Sequence, residues 1–141
     1  MAPLLSGLPD TIQDDEPIAR FLTQSGHFSK TSVDPSAFLP SKRGKETSVS
    51  RHGREPLGFL QSLGLAAVAA SDRKLYGAAV ILGRDVRQAS LEIQSDEPPE
   101  RHAVIRGWPW LENDPQSQKA QQKERAIILA SAAGTPVLFQ K

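Results

Sequence analysis

Three histidines, His27, His52 and His102, are the side chains of this sequence best suited to proton transfer near neutral pH. His27 and His102 stand out as a pair, because each opens or sits in a segment that reads as extended. Two strand histidines, each with a hydroxyl two residues on, can act as acid and base on a phosphodiester. "HFS" supplies that hydroxyl at Ser29, whereas "HAV" puts Val104 in its place, so the pattern is met in one half only. Arg51, in "TSVSRH", adds a cation suited to a phosphate or pyrophosphate, with His52 beside it. Glu92 on another strand is a carboxylate able to stabilise a cationic sugar, the chemistry of NAD-dependent transfer. The catalytic candidates are therefore His27, Arg51 and His102, with Glu92 as an accessory group. No H-x-x-x-H or H-E-x-x-H spacing occurs, so neither a metal site nor any other cofactor is expected.

Binding candidates fall in two places. Residues 42–54 carry Lys42, Arg43, Lys45, Arg51, His52 and Arg54 against Glu46 alone. Such a run is either a solvated loop or a small anion-binding patch, since clustered Lys and Arg are the footprint of phosphate contacts. With Arg101 and Arg106 it would make a nucleic-acid surface. The second place is "RHAVIRGWPW", residues 101–110, which holds both tryptophans of the chain, Trp108 and Trp110, around Pro109. One reading has these rings closing the core where a strand ends. The other makes them a contact for a partner protein, because Trp and Arg dominate such contacts.

Several common chemistries lose weight. There is no G-x-x-x-x-G-K-[ST] loop, no G-x-G-x-x-G turn and no G-x-S-x-G elbow. With no cysteine, disulfides, thiolate catalysis and sulfur-ligated zinc are ruled out. The formal net charge of +1 does not by itself advertise nucleic acid or acidic lipid. "MAPLLSGLPD" lacks the basic n-region of a secretory signal. The longest apolar run, "LGLAAVAA", falls far short of the roughly 18–20 residues that span a bilayer. A soluble, cytoplasmic protein with no membrane contact is expected.

The elements that must position these groups can be read from punctuation and period. The 141 residues suit one domain, and 38% apolar content with eleven prolines and ten glycines suggests a modest core with generous loops. Residues 1–9 read as a disordered tail and 10–141 as the domain. In "DDEPIARFLTQ", acids precede Pro17, and Ile18, Phe21 and Leu22 fall at i, i+3 and i+4, which predicts a short helix over 15–24. "DPSAFLP" reads as a loop or irregular edge strand, "SKRGK" as a turn and 46–51 as a strand. A second helix is expected from Glu55 to about 71, with Leu57, Leu60, Leu63 and Phe59 as its apolar stripe. "KLYGAAVIL", "SLEIQS" and "RHAVIRGW" read as strands, with "GRDVRQA" as a turn or one helical turn and "DEPPE" as a loop. On the last of these strands His102, Val104 and Arg106 share a face opposite Ala103 and Ile105. Asn113 or Asp114 caps a last helix with Pro115 at its start and Gly134 at its end, burying Ala120, Ile127, Ile128 and Ser131. "PVLFQ" is a short final strand or tail. The sum is an α+β single domain: a small, mainly antiparallel sheet with two to three helices.

The segments "HF" at 27, "AFLP" at 37–40, "SVSR" at 48–51, "LYG" at 75–77 and "HAVIRGWP" at 102–109 together resemble a family of small uncharacterised bacterial cytosolic proteins. The resemblance covers most of the chain and implies a bacterial protein, from an accessory or defence-type gene cluster where small partner-binding proteins abound. The leading expectation is accordingly a small non-enzymatic module that binds a partner protein. One alternative is an enzyme acting on a phosphodiester or NAD-like substrate with His27, Arg51 and His102. The other is nucleic-acid binding through Lys42, Arg43, Lys45 and Arg54 of the basic segment, together with Arg106.

Overall fold

A computed structural model describes residues 6–52 and 55–139. It contains one six-stranded sheet: β1 (Pro17–Leu22), β2 (Thr47–Arg51), β3 (Gly77–Leu82), β4 (Glu92–Ser95), β5 (His102–Arg106) and β6 (Val137–Leu138). Three α-helices accompany it: α1 (Leu57–Val68), α2 (Gly83–Gln88) and α3 (Pro115–Ala133). The strand order is β4-β5-β2-β1-β3-β6, and every neighbouring pair is antiparallel. The fold is thus α+β, with each helix carrying the chain across the sheet to a strand that is not its neighbour.

The element predicted as a helix over 15–24 is instead the strand β1. It lies inside the sheet, between β2 and β3, so both of its faces are covered. Ile18 and Leu22 join the larger core, while Ala19, with Phe21 packed alongside, belongs to the smaller one. A strand buried on both sides reads as a continuous apolar run rather than an alternation, and in "IARFL" that run happens to match helical spacing. Elsewhere alternation was a sound guide. Leu91 and Ile93 turn inward and Glu92 and Gln94 outward, as expected of a strand with one wet face.

The larger core lies between one sheet face and α2, α3 and the 3-10 helix Pro35–Phe38. That short helix occupies the segment expected to be a loop or edge strand. Asp34 caps it, its carboxylate accepting from the Ser36 N–H at 2.9 Å, and Phe38 at its end is fully buried. In α3 the cap is Asp114, accepting from the Ser117 N–H at 3.1 Å, and Gly134 ends the helix with φ +62°. The buried face of α3 differs from the predicted one. Ala126, Leu129 and Ala130 face the sheet, whereas Ile127 and Ile128 are 46% and 41% exposed and Ala120 and Ser131 are exposed. The face at 126, 129 and 130 has equally good i, i+3, i+4 spacing. Its alanines let the helix approach the sheet closely, an advantage that residue hydrophobicity alone does not score.

The smaller core lies on the opposite face, where Leu60 of α1 packs on Ala19 and Ala78. Within α1 the buried positions are Leu60, Gly64 and Val68, while Leu57 of the expected stripe is exposed. Close approach also explains Gly77. A Cβ there would stand 2.2 Å from the Val137 carbonyl oxygen, so only glycine lets β6 pair with β3.

Of the expected disordered tail, residues 1–5 lie outside the described residues. From Ser6 onward the chain is already tied down: the Ser6 N–H donates to Glu97 at 3.0 Å, and the Pro9 carbonyl accepts from Arg51 at 2.6 Å. No helix among the described residues is long and apolar enough to cross a membrane.

Candidate functional site

The sheet's two faces are finished differently. On the α1 side, the buried cluster of the described residues, Leu60 with Ala19 and Ala78, lies over β1 and β3. The other half of this face, on β2, β5 and β4, carries Ser48, Ser50, His102, Arg106, Gln94 and Glu92. Register sets this arrangement: Ser50 pairs with His102, Ser48 with Val104, Gln94 with Val104 and Glu92 with Arg106, and paired antiparallel residues point to the same side. Between this half, the C-terminal end of α1 and the 39–46 loop lies a groove of about 490 Å³. Its charged, imidazole and β2-serine side chains are those of Arg20, Glu46, Arg73, His102, Ser48 and Ser50.

Arg20 is placed by a local failure of pairing. β1 and β2 match at Ile18↔Arg51 and Ala19↔Ser50 and then part. The guanidinium enters the wedge, where Nε donates to the Ala37 carbonyl at 2.8 Å and Nη1 to the Ser48 carbonyl at 2.9 Å. Nη2 has no protein partner among the described residues. Burial, then the neighbouring Arg73 guanidinium, pulls the Arg20 pKa down to about 10, so it keeps its charge at neutral pH. The guanidinium of the exposed Arg73 makes one long contact among the described residues, 3.4 Å from Nε to Ser71 Oγ.

His102 is oriented by the turn that precedes β5. Its Nδ1 lies 3.0 Å from the Asp96 carbonyl oxygen and 3.2 Å from Asp96 Oδ2. Both neighbours accept hydrogen bonds, so Nδ1 carries the proton, and Nε2 is the nitrogen left for a ligand.

The other candidate residues do not gather at this groove. His27 sits in the 3-10 turn Ser25–His27 and is not among the groove's lining residues. Burial, with help from the Arg20 charge, lowers its pKa below the usual histidine value, against a smaller opposing pull from Asp34. The structure does not place His27 and His102 in one pocket. Arg51 is fully buried and faces the larger core beside Ile18. Its Nε and Nη2 hold the two Glu16 carboxylate oxygens at 2.5 and 2.7 Å, and Nη1 reaches the Pro9 carbonyl and, at 3.2 Å, Ser95 Oγ. It ties three segments together and is closed to substrate. The signal was present: in "TSVSR", Arg51 alternates with Thr47 and Val49, the inward residues, so counting it with the basic loop ignored its strand position. The two ring nitrogens of His52 are enclosed, with no hydrogen-bond partner among the described residues. Glu92 lies exposed on the open face, opposite Arg106.

The basic segment likewise comes apart. Lys42 and Arg43 are exposed in a turn. Lys45, at φ +60°, lies over the Trp110 ring at 5.2 Å and 3.9 Å from Glu112. Arg54 lies outside the described residues. Arg106 donates to Gln94 Oε1 at 2.8 Å. Arg101 turns its guanidinium over Phe59 at 4.7 Å and donates to the Arg51 and His52 carbonyls, clamping the end of β2 to α1.

"RHAVIRGWPW" divides between its two tryptophans. Trp108 is 6% exposed and belongs to the larger core, with Nε1 buried and without a partner among the described residues. Trp110 is half-buried beneath Lys45. Trp110→Phe should therefore leave only blue-shifted emission that acrylamide barely quenches, while the wild type keeps a quenchable component. Strong quenching in the variant would place Trp108 in solvent.

Sequence reasoning missed Arg20, Ser48, Ser50, Arg73 and Asp96. The period-two spacing of the serines in "SVS" was a usable signal, since it puts both on one strand face. Arg20 was hidden by the helical reading of 15–24. Among the described residues no group of three or more His, Asp or Glu is placed to hold a metal ion. Comparison of the chain with family models, with curated proteins and with solved structures finds no match.

Proposed function

We propose that this protein is a small non-enzymatic module that binds a partner protein, and that the groove on the open half of the sheet is its contact surface. One observation carries the reading: the larger core is closed by two α-helices and a 3-10 helix, whereas α1 covers only half of the opposite face. A half-sheet that α1 does not cover, with its polar side chains set by register around the buried Val104, is a surface on which a partner can complete the packing. The tryptophan pair is not the anchor, because Trp108 serves the core. The enzyme reading draws little support, since Arg51 is enclosed and His27 does not line the groove. The nucleic-acid reading draws little either, since Arg51 is buried on Glu16 and Lys45 lies over Trp110.

Ser48 is exposed and lines the groove, so Ser48→Tyr fills it without disturbing the core. Tagged full-length wild type and Ser48→Tyr, each checked for an unchanged melting temperature, would be used to retrieve proteins from a lysate of the source cells. A protein retained by the wild type and lost from the variant supports the reading. Equal retention by both moves the contact elsewhere and rejects it.

A further inference from the structure

We propose that the groove receives an acidic segment of the partner, its carboxylates held by the guanidiniums of Arg20 and Arg73 and, when the ring is protonated, by the Nε2–H of His102, with the Ser48 and Ser50 hydroxyls as further donors. The inference rests on the groove being the contact surface. It starts from charge. The Arg73 charge is close enough to help lower the Arg20 pKa, and both side chains line one groove. The carboxylate that shares the lining, Glu46, is 3.9 Å from Arg106 Nε and is drawn to that cation. Two like charges so placed are relieved by a bound anion. The donors are also prepared. Two nitrogens of Arg20 are pinned to backbone carbonyls, so its head is held in place while Nη2 stays open. His102 is fixed through Nδ1 by Asp96. Little side-chain entropy remains to be lost at these two when a ligand binds.

The donor types favour carboxylates along a peptide over a compact phosphate. Sites for phosphate commonly cradle it in free backbone N–H groups. Here three of those in the adjacent loop are spent: the Gly44 N–H donates to Ser41 Oγ at 3.1 Å, the Lys45 N–H to the Ser41 carbonyl at 2.9 Å and the Ser41 N–H to the Glu46 carbonyl at 3.0 Å. What remains is a row of side-chain donors. A second copy of this chain is a poor candidate, because two of the acids that precede Pro17 are already engaged, Glu16 by Arg51 and Asp14 by Arg87.

The test is fluorescence anisotropy of a labelled hexaglutamate peptide titrated with the full-length protein at low salt, beside a hexaglutamine control. Hexaglutamate should bind and hexaglutamine should not, with affinity falling as salt rises. Arg73 is exposed and supports no core contact. Arg73→Gln should weaken binding about fivefold, as for the loss of one well-placed exposed charge pair, and Arg73→Glu should abolish it. Lys119→Gln, a charge change on the exposed part of α3, should leave it unaltered. Absence of hexaglutamate binding, or equal binding by Arg73→Glu, overturns the proposal. Stronger binding of tripolyphosphate, read as displacement of the peptide, overturns it in favour of a phosphate ligand. Light-scattering detection of a dimer that Arg73→Glu dissociates overturns it in favour of a second copy. If the peptide fails while Ser48→Tyr still loses a retrieved protein, only the ligand chemistry is wrong. If both fail, the groove is not the contact surface.

Discussion

Glu16→Gln should lower the stability of this protein by about 3–5 kcal/mol, the usual result of stripping the partner from a buried ion. Arg51 is fully enclosed, and Glu16 is 14% exposed at the side chain. The amide keeps the shape of the carboxylate and part of its hydrogen bonding. It cannot neutralise a guanidinium that has no water to turn to. For a chain of this size the loss corresponds to a fall in Tm on the order of 10 °C, readable by circular dichroism or calorimetry. The double variant Glu16→Leu/Arg51→Met gives the internal check. It removes both charges and should melt above the Glu16→Gln single variant, since an apolar pair of similar volume often replaces a buried ion pair at little cost. If Glu16→Gln melts within about 2 °C of the wild type, against the several-degree effect expected for a buried pair, the enclosure of Arg51 is wrong. Arg51 would then return as a candidate for the ligand chemistry first read from its position beside His52.

Phe38→Ala is the second large effect, at about 3–5 kcal/mol, the range for emptying a fully buried aromatic site. The ring is the largest fully buried apolar side chain of the structure. It comes from a short 3-10 helix that packs against α3 rather than from any strand or long helix. Its backbone is anchored too, because the Phe38 carbonyl accepts from Thr47 Oγ1 at 2.7 Å, a buried contact that joins this helix to β2. The cavity cannot collapse easily between two elements held so firmly. Phe38→Leu, which keeps most of the volume, should cost less than half as much. Urea unfolding midpoints of the three proteins would decide it, and a Phe38→Ala midpoint close to the wild type would show that the ring is not part of the core.

Phe38 also marks where legibility ended. β4 and β5 were readable because each shows one wet and one dry side, and the last helix because Asp114, Pro115 and Gly134 bracket it. β1 was not, since a strand covered on both sides loses the alternation that identifies it. The inward face of α3 was misjudged because Ile127 and Ile128 outrank alanine in hydrophobicity, while packing against the sheet rewards small size. The 3-10 helix was missed because a segment with proline at both ends gives no period at all, whatever its burial. For the site, residue type was a poor guide without strand parity. Arg51 and Ser50 are adjacent in sequence, but one is sealed beside Ile18 and the other lines the groove. Parity could be applied only once the strands were right, and for Arg20 even parity misleads, since it shares the side of Ile18 and Leu22 and reaches the groove only where β1 and β2 part.

The strand order has a consequence for how the chain comes to be folded. β1, the first of the described strands, shares six register pairs with β3 but only two with β2. Its main partner therefore leaves the ribosome some 55 residues later. Until then "PIARFL" is an apolar segment with unpaired backbone, and the loop to be closed is long. β6, which completes the far edge, comes last of all. Productive assembly must wait for nearly the whole chain, so this protein belongs with the slow folders governed by distant contacts. A nascent or truncated chain that stops before Gly77 holds its most aggregation-prone strand without the partner that protects it.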